Sequence, residues 1–288
     1  MHLPDLVVVR DLRHLLDVLA ENPGARIVAG ATDVIPFMRA GKWQPRLLVD
    51  ITRIADLRYC REAAGWFEIG ALATHSDLAA SPLLRARGTA LAEAAASVAD
   101  PQIRARATVG GNICTASPAA DTVPALLILD AELALRSSTG ERRLPLRSFL
   151  LGPGKTALGP SEVLTSIRFQ MPPRDAGTSF LKLGRRQAMA ISLVSAAALI
   201  RATDGTIGDG RLALGSVAPT VVRCPSAESR LEGATGSPSE FAAAAGRIAD
   251  SIAPIDDVRA SAAYRRVTAI TLAERALASA WERARQAS

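Results

Sequence analysis

At 288 residues the chain is long enough for two domains, but only 4% of it is aromatic, so its cores must be built from Ala, Leu, Val and Ile. No apolar run approaches the roughly 20 residues that span a bilayer, and the opening MHLPDLVVVRDL lacks the basic flank of a signal peptide. The charge of +6 is scattered rather than striped with aromatics, which argues against nucleic acid, while Cys60, Cys114 and Cys224 are too few and too far apart for an iron–sulfur or zinc centre and read as free thiols of a reducing cytoplasm.

Leu12, Leu15, Leu16 and Leu19 fall on one face of a first helix, stopped by Asn22, Pro23 and Gly24. Residues 26–29 read as a strand, Gly30, Ala31 and Thr32 as a turn, and Asp33 as the N-cap of a helix with Pro36 in its first turn. A strand at 47–50 completes a small βαβ unit. Such a strand-to-helix turn is either ordinary punctuation or an anion site. Residues 66–71 form the next strand, and a helix starts near Thr74, with His75 as a capping or packing residue. A short helix follows Ser81 and Pro82, and an Ala-rich one covers 89–98. A hairpin turns at Ser138, Thr139 and Gly140, and a strand at 163–169 runs into Pro172 and Pro173, the expected domain boundary. Beyond it lie strands at 179–184, 191–201 and 211–217. Helices follow at 226–231 and 239–252, then a long one over about 260–285, with Val267, Ile270, Ala273, Leu277 and Trp281 on its buried face.

The stretch 108–130, TVGGNICTASPAADTVPALLILD, carries the densest chemistry. Tandem glycines allow close backbone approach and present successive N–H groups, and Thr108, Asn112, Thr115, Ser117 and Asp121 add hydroxyl, amide and carboxylate groups. This suits a ligand with many hydrogen-bonding atoms. LGPGKT at 151–156 imitates a P-loop, but the required first glycine is Phe149; GxGxxG and GxSxG are absent, and three separated histidines give no triad or metal signal. Phosphate-cradling loops without a catalytic base fit a protein whose cofactor carries the chemistry.

TVGGN followed by ASPAAD resembles the flavin-binding subunits of the molybdenum hydroxylases, the xanthine dehydrogenase and carbon monoxide dehydrogenase family. The resemblance extends to Ala29, Gly30, Ala31, Thr32, Asp33 and Val34, where AGGTDL is usual and Ala31 replaces the second glycine, and to PIDDVRASAAYRR, similar to PxDDxRASxxYR. It implies FAD held by two pyrophosphate loops, the second made by Thr108, Gly110, Gly111 and Asn112 and continued by Thr115 and Ser117. It further implies Asp121 accepting from cofactor hydroxyls, Leu164 as an apolar contact, and Lys182, in SFLKLGRRQAMAIS, as a nearby cation. The fold it implies is α/β plus α+β. A vanillyl-alcohol-oxidase (PCMH-type) flavin domain at 1–175, with subdomains of about 1–55 and 56–175, precedes a C-terminal domain at 176–288 with a three-stranded sheet and helices.

Neither an iron–sulfur nor a molybdenum module is present in the sequence. The expectation is therefore the medium subunit of a cytoplasmic three-subunit enzyme, a dimer of heterotrimers. A small [2Fe–2S] subunit and a large molybdenum-cofactor subunit are its partners, and NAD, a quinone, oxygen or another carrier is its acceptor. The alternatives are a self-contained FAD-dependent oxidase and a binding module without redox work.

Overall fold

The computed structural model describes residues 4–186 and 189–287. Gln187 and Ala188 of the GRRQAMAIS motif lie outside the described residues. The chain opens with β1 (Asp5–Val8), α1 (Leu12–Glu21), β2 (Arg26–Val28), α2 (Val34–Arg39) and β3 (Leu47–Asp50). The three strands form a parallel sheet in the order β1-β3-β2, so the expected βαβ unit is there with one more strand beside it. Asp11 caps α1 by accepting from the His14 N–H at 2.8 Å, and Leu15, Leu16 and Leu19 bury the predicted face. Their core borrows Leu72 and Val163 from the next lobe.

That second lobe contains β4 (Cys60–Ala63), β5 (Trp66–Gly70), α3 (His75–Ala80), α4 (Pro82–Arg87), α5 (Thr89–Ala96), α6 (Pro101–Arg104), α7 (Val109–Thr115) and α8 (Thr122–Ile128). It continues through β6 (Glu132–Ser137), β7 (Gly140–Pro145), α9 (Leu146–Phe149), β8 (Leu150–Gly152), β9 (Lys155–Thr156) and β10 (Val163–Gln170). Five strands make an antiparallel sheet in the order β4-β5-β10-β6-β7, and the helices cover its inner face. Thr74 caps α3 through a reciprocal box with Asp77, so His75 packs and does not cap.

The last unit holds β11 (Ala176–Leu183), β12 (Val194–Thr203), β13 (Thr206–Gly215), β14 (Val222–Arg223), α10 (Pro225–Glu228), α11 (Pro238–Gly246) and α12 (Ala262–Ala287). Its sheet has four strands, β11-β12-β13-β14, where three were expected; β14 is two residues long and leaves no period in the sequence. Successive side chains of a strand face opposite ways. In β12, Val194, Ala196, Ala198 and Ile200 enter the core under α12, while Ala197 and Leu199 enter the core of the second lobe. This sheet is buried on both faces. No described helix is long and apolar enough to cross a membrane.

On α12 the buried apolar residues are Ala269, Leu272, Ala273, Ala276, Leu277, Ala280, Trp281 and Ala284; Val267 and Ile270, expected on that face, are exposed. The role of PIDDVRASAAYRR is mechanical: Arg265, 4% exposed, donates to the Leu193 and Ser216 carbonyls and to Asp257, clamping the helix start to the strand ends.

Candidate functional site

The first loop and the TVGGN stretch, about 80 residues apart in sequence, converge on one cavity of about 730 Å³ between the first two lobes. That volume lies within the range of cofactor pockets. Ala29, Gly30, Ala31, Thr32, Asp33 and Val34 line one wall. Thr108, Gly110, Gly111, Asn112, Thr115 and Leu164 line the others.

The lobes meet closely. A Cβ at Gly30 would stand 2.0 Å from the Arg106 carbonyl oxygen, so only glycine allows the approach. Asp33 ties the two loops together: its carboxylate accepts from the Thr115 hydroxyl at 2.7 Å. It does not cap α2 through its side chain, as the sequence had suggested, because its backbone is already helical. Ala31 sits at φ 62°, a left-handed conformation that explains the usual glycine there and costs alanine about 1–2 kcal/mol.

The N–H groups of Gly30, Ala31, Thr32, Asp33 and Val34 have no acceptor among the described residues. Unpaired donors beside a cavity are a cost unless a ligand or water meets them, and a consecutive run suits an anion.

The tandem glycines act otherwise than expected. The N–H groups of Val109, Gly110 and Asn112 are taken by the carbonyls of Ala73, Ala71 and Thr108, and that of Gly111 by the Thr108 hydroxyl. The stretch is the first turn of a capped helix, so its donors are spent internally. Gly110 instead permits close packing, since a Cβ there would lie 2.7 Å from the Ala71 oxygen, whereas Gly111 keeps a cavity-facing surface bare. The Thr122 hydroxyl fixes the Asn112 side chain at 2.8 Å.

Ser117, Asp121 and Lys182 do not line the cavity. Ser117 accepts from the Ala119 N–H within its own turn. Asp121 is buried at the junction of α8 with the C-terminal sheet, where it accepts from Lys182 Nζ at 2.6 Å and from the Ser192 hydroxyl. Burial pushes its carboxyl up, opposed by the Lys182 ammonium. Lys182 also donates to the Ser97 carbonyl at 3.1 Å.

Several wall residues were not legible as such. His75, 1% exposed, is held down at about 4 by burial and by the nearby Arg104 charge, and its ring nitrogens have no partner among the described residues. Burial lifts the Cys114 thiol to about 12, which keeps it protonated and unreactive. Gly154 and Thr156 of the P-loop imitation also reach the wall, the Gly154 N–H bonding to Ala116. Arg26 and Trp43 also line the cavity. Their side chains come from a strand start and a loop with no motif; only the scarcity of Trp, three in the chain, could have drawn notice.

Among known proteins, residues 4–172 match the family model for the FAD binding domain in molybdopterin dehydrogenase, and residues 179–280 match the CO dehydrogenase flavoprotein C-terminal domain. The chain is 36% identical to the xanthine dehydrogenase FAD-binding subunit of Escherichia coli O157:H7 over 88% of each chain. It is 35% identical to the carbon monoxide dehydrogenase medium chain of Hydrogenophaga pseudoflava over 90% of each. A solved structure of carbon monoxide dehydrogenase from Hydrogenophaga pseudoflava, lacking the Mo-pyranopterin moiety of its cofactor, superposes with a TM-score of 0.94 at 33% identity, over 97% of this chain and 98% of that one. Two domain matches in order, near-complete relatives and the two-loop cavity agree: the chain belongs to the FAD-binding subunits of the molybdenum hydroxylases, a family of oxidoreductases.

Proposed function

We propose that the chain is the medium subunit of a cytoplasmic, three-subunit molybdenum hydroxylase, a dimer of heterotrimers. In this reading it passes electrons from [2Fe–2S] clusters on a small partner subunit, through FAD, to NAD, a quinone, oxygen or another carrier. The large partner carries the molybdenum cofactor and the organic substrate or CO. The observation that carries the reading is the run of unpaired N–H groups at Gly30 to Val34 on a cavity whose opposite wall is the TVGGN turn. The flavin domain is assigned to 1–175, as PCMH-type subdomains of about 1–55 and 56–175, and the C-terminal domain to 176–288.

Bound FAD supplies exchange of electrons singly or in pairs. The first loop meets the pyrophosphate, Gly111 leaves room for close approach, and Leu164 gives an apolar contact. Thr108, Asn112 and Thr115 hold the turn in shape through their own bonds. The resemblance gives Ser117 and Asp121 to the cofactor's hydroxyls and Lys182 to its charge; in this chain they stand off the two-loop cavity at the domain junction, where Asp121 pairs with Lys182.

The purified chain should release FAD, not FMN, on denaturation. Mixed with its co-purified partners, its flavin should be reduced by the organic substrate only when both the iron–sulfur and molybdenum subunits are present. Turnover by the lone chain would replace this reading with a self-contained oxidase.

A further inference from the structure

Arg26 carries the only positive charge on the cavity wall among the described residues, where Asp33 and Glu162 are the carboxylates. Glu162 already has its cation, since Arg142 forks onto it at 2.6 and 2.8 Å, and the Arg142–Glu162 pair holds its carboxyl below the usual range. Asp33 has only a hydroxyl, from Thr115. Arg26 in turn has no carboxylate within ion-pairing distance among the described residues. Its guanidinium lies 3.8 Å from the centre of the Trp43 ring, and Trp43 is braced edge-on by Phe37 at 4.6 Å. Stacking fixes the plane of the group while leaving its N–H donors free. Arginine forks match phosphate oxygens, and partial burial of the guanidinium costs solvation that an anion returns.

A diphosphate brought into this cavity meets an uncompensated Asp33 carboxylate and a set of neutral N–H dipoles. Without Arg26 the wall has a formal excess of negative charge. We propose that Arg26, seated on Trp43, is the cofactor-binding cation that neutralises the pyrophosphate of FAD; this rests on the FAD reading above and extends it to a residue outside both loops.

The test is titration of the full-length apoprotein with FAD and, separately, with riboflavin, which has no phosphate. Arg26→Met should raise the FAD dissociation constant about 10- to 100-fold, leave riboflavin affinity and thermal stability unchanged, and flatten the salt dependence of FAD binding. Arg26→Lys should recover part of the loss. An unchanged FAD constant in Arg26→Met, or equal losses for FAD and riboflavin, overturns the proposal. A folded wild-type chain that takes up no FAD fails the cofactor reading itself and this proposal with it.

Discussion

Gly110 and Gly111 are neighbours that exclude a side chain for different reasons. At Gly110 a Cβ would press on the Ala71 backbone, 2.7 Å from its oxygen and with no flexible atom to yield. Gly110→Val should therefore lose about 1–3 kcal/mol or more of stability, read as a lower melting temperature. At Gly111 the nearest atom is the Thr108 hydroxyl at 3.0 Å and the remaining surroundings are cavity. Gly111→Val should stay folded and lose FAD. Retained flavin in that variant would remove the turn from the site. The reason is purely steric, because Gly111 has an ordinary helical φ.

His75 gives a prediction in pH at the same scale. Its folded value, about 4, lies below the 6.5 of an exposed imidazole, so the unfolded chain binds more protons between those values. Its stabilising contribution is complete above about pH 6.5 and is lost as pH falls towards about 4, on the order of 3 kcal/mol in all. Urea midpoints across that window should slope less in His75→Leu than in wild type. Equal slopes would show that other groups govern the acid limb.

Among the elements, α12 shows what sequence reading could and could not reach. Its existence and ends were legible from period and length. Its face was not, because the buried stripe is mostly alanine, and Val267 and Ile270 drew the eye to the neighbouring side. Alanine carries too little apolar surface to set a period, yet it lets the helix lie close: a Cβ on Gly177 of β11 would stand 2.1 Å from the Ala280 oxygen. β1 and β14, at 4 and 2 residues, were too short to show alternation, and β12 showed none because both its faces are buried. The site was legible where a motif spelled it out, at both loops. Arg26, Trp43 and His75 were hidden because each reaches the wall through tertiary packing. The clamp at the start of α12 can be tested directly. Arg265→Met leaves Asp257 and two carbonyls without their donor and should cost about 3–5 kcal/mol, as broken buried pairs do. A loss below 1 kcal/mol in chemical denaturation would mean the clamp is ornamental.

At the scale of the whole molecule, the C-terminal sheet serves two cores at once. Phe180, Ala197, Leu199, Ala213 and Val221 belong to the core of the second lobe, and the Asp121–Lys182 pair and the Glu93–Arg283 pair, each at 2.6 Å, cross the same junction. A chain cut after residue 175 would expose the undersides of α5 and α8. It should be recovered aggregated or without fixed tertiary structure, while the full chain unfolds those two units in one calorimetric transition. Two resolved transitions for them would contradict a shared core.

The N-terminal lobe stands in a different relation to the remainder. It meets the second lobe across the cavity, through the glycine contact at Arg106 and the Asp33–Thr115 bond, with Leu72 and Val163 as borrowed apolar partners. A ligand seated there touches both sides, so it acts as mortar in a joint. Loading the flavin is then part of completing the fold, and it should slow amide exchange in β1, β2 and β3 far more than in α12. A cell short of the cofactor would accumulate a chain whose C-terminal four-fifths is finished and whose first lobe, through β3, remains open to proteases.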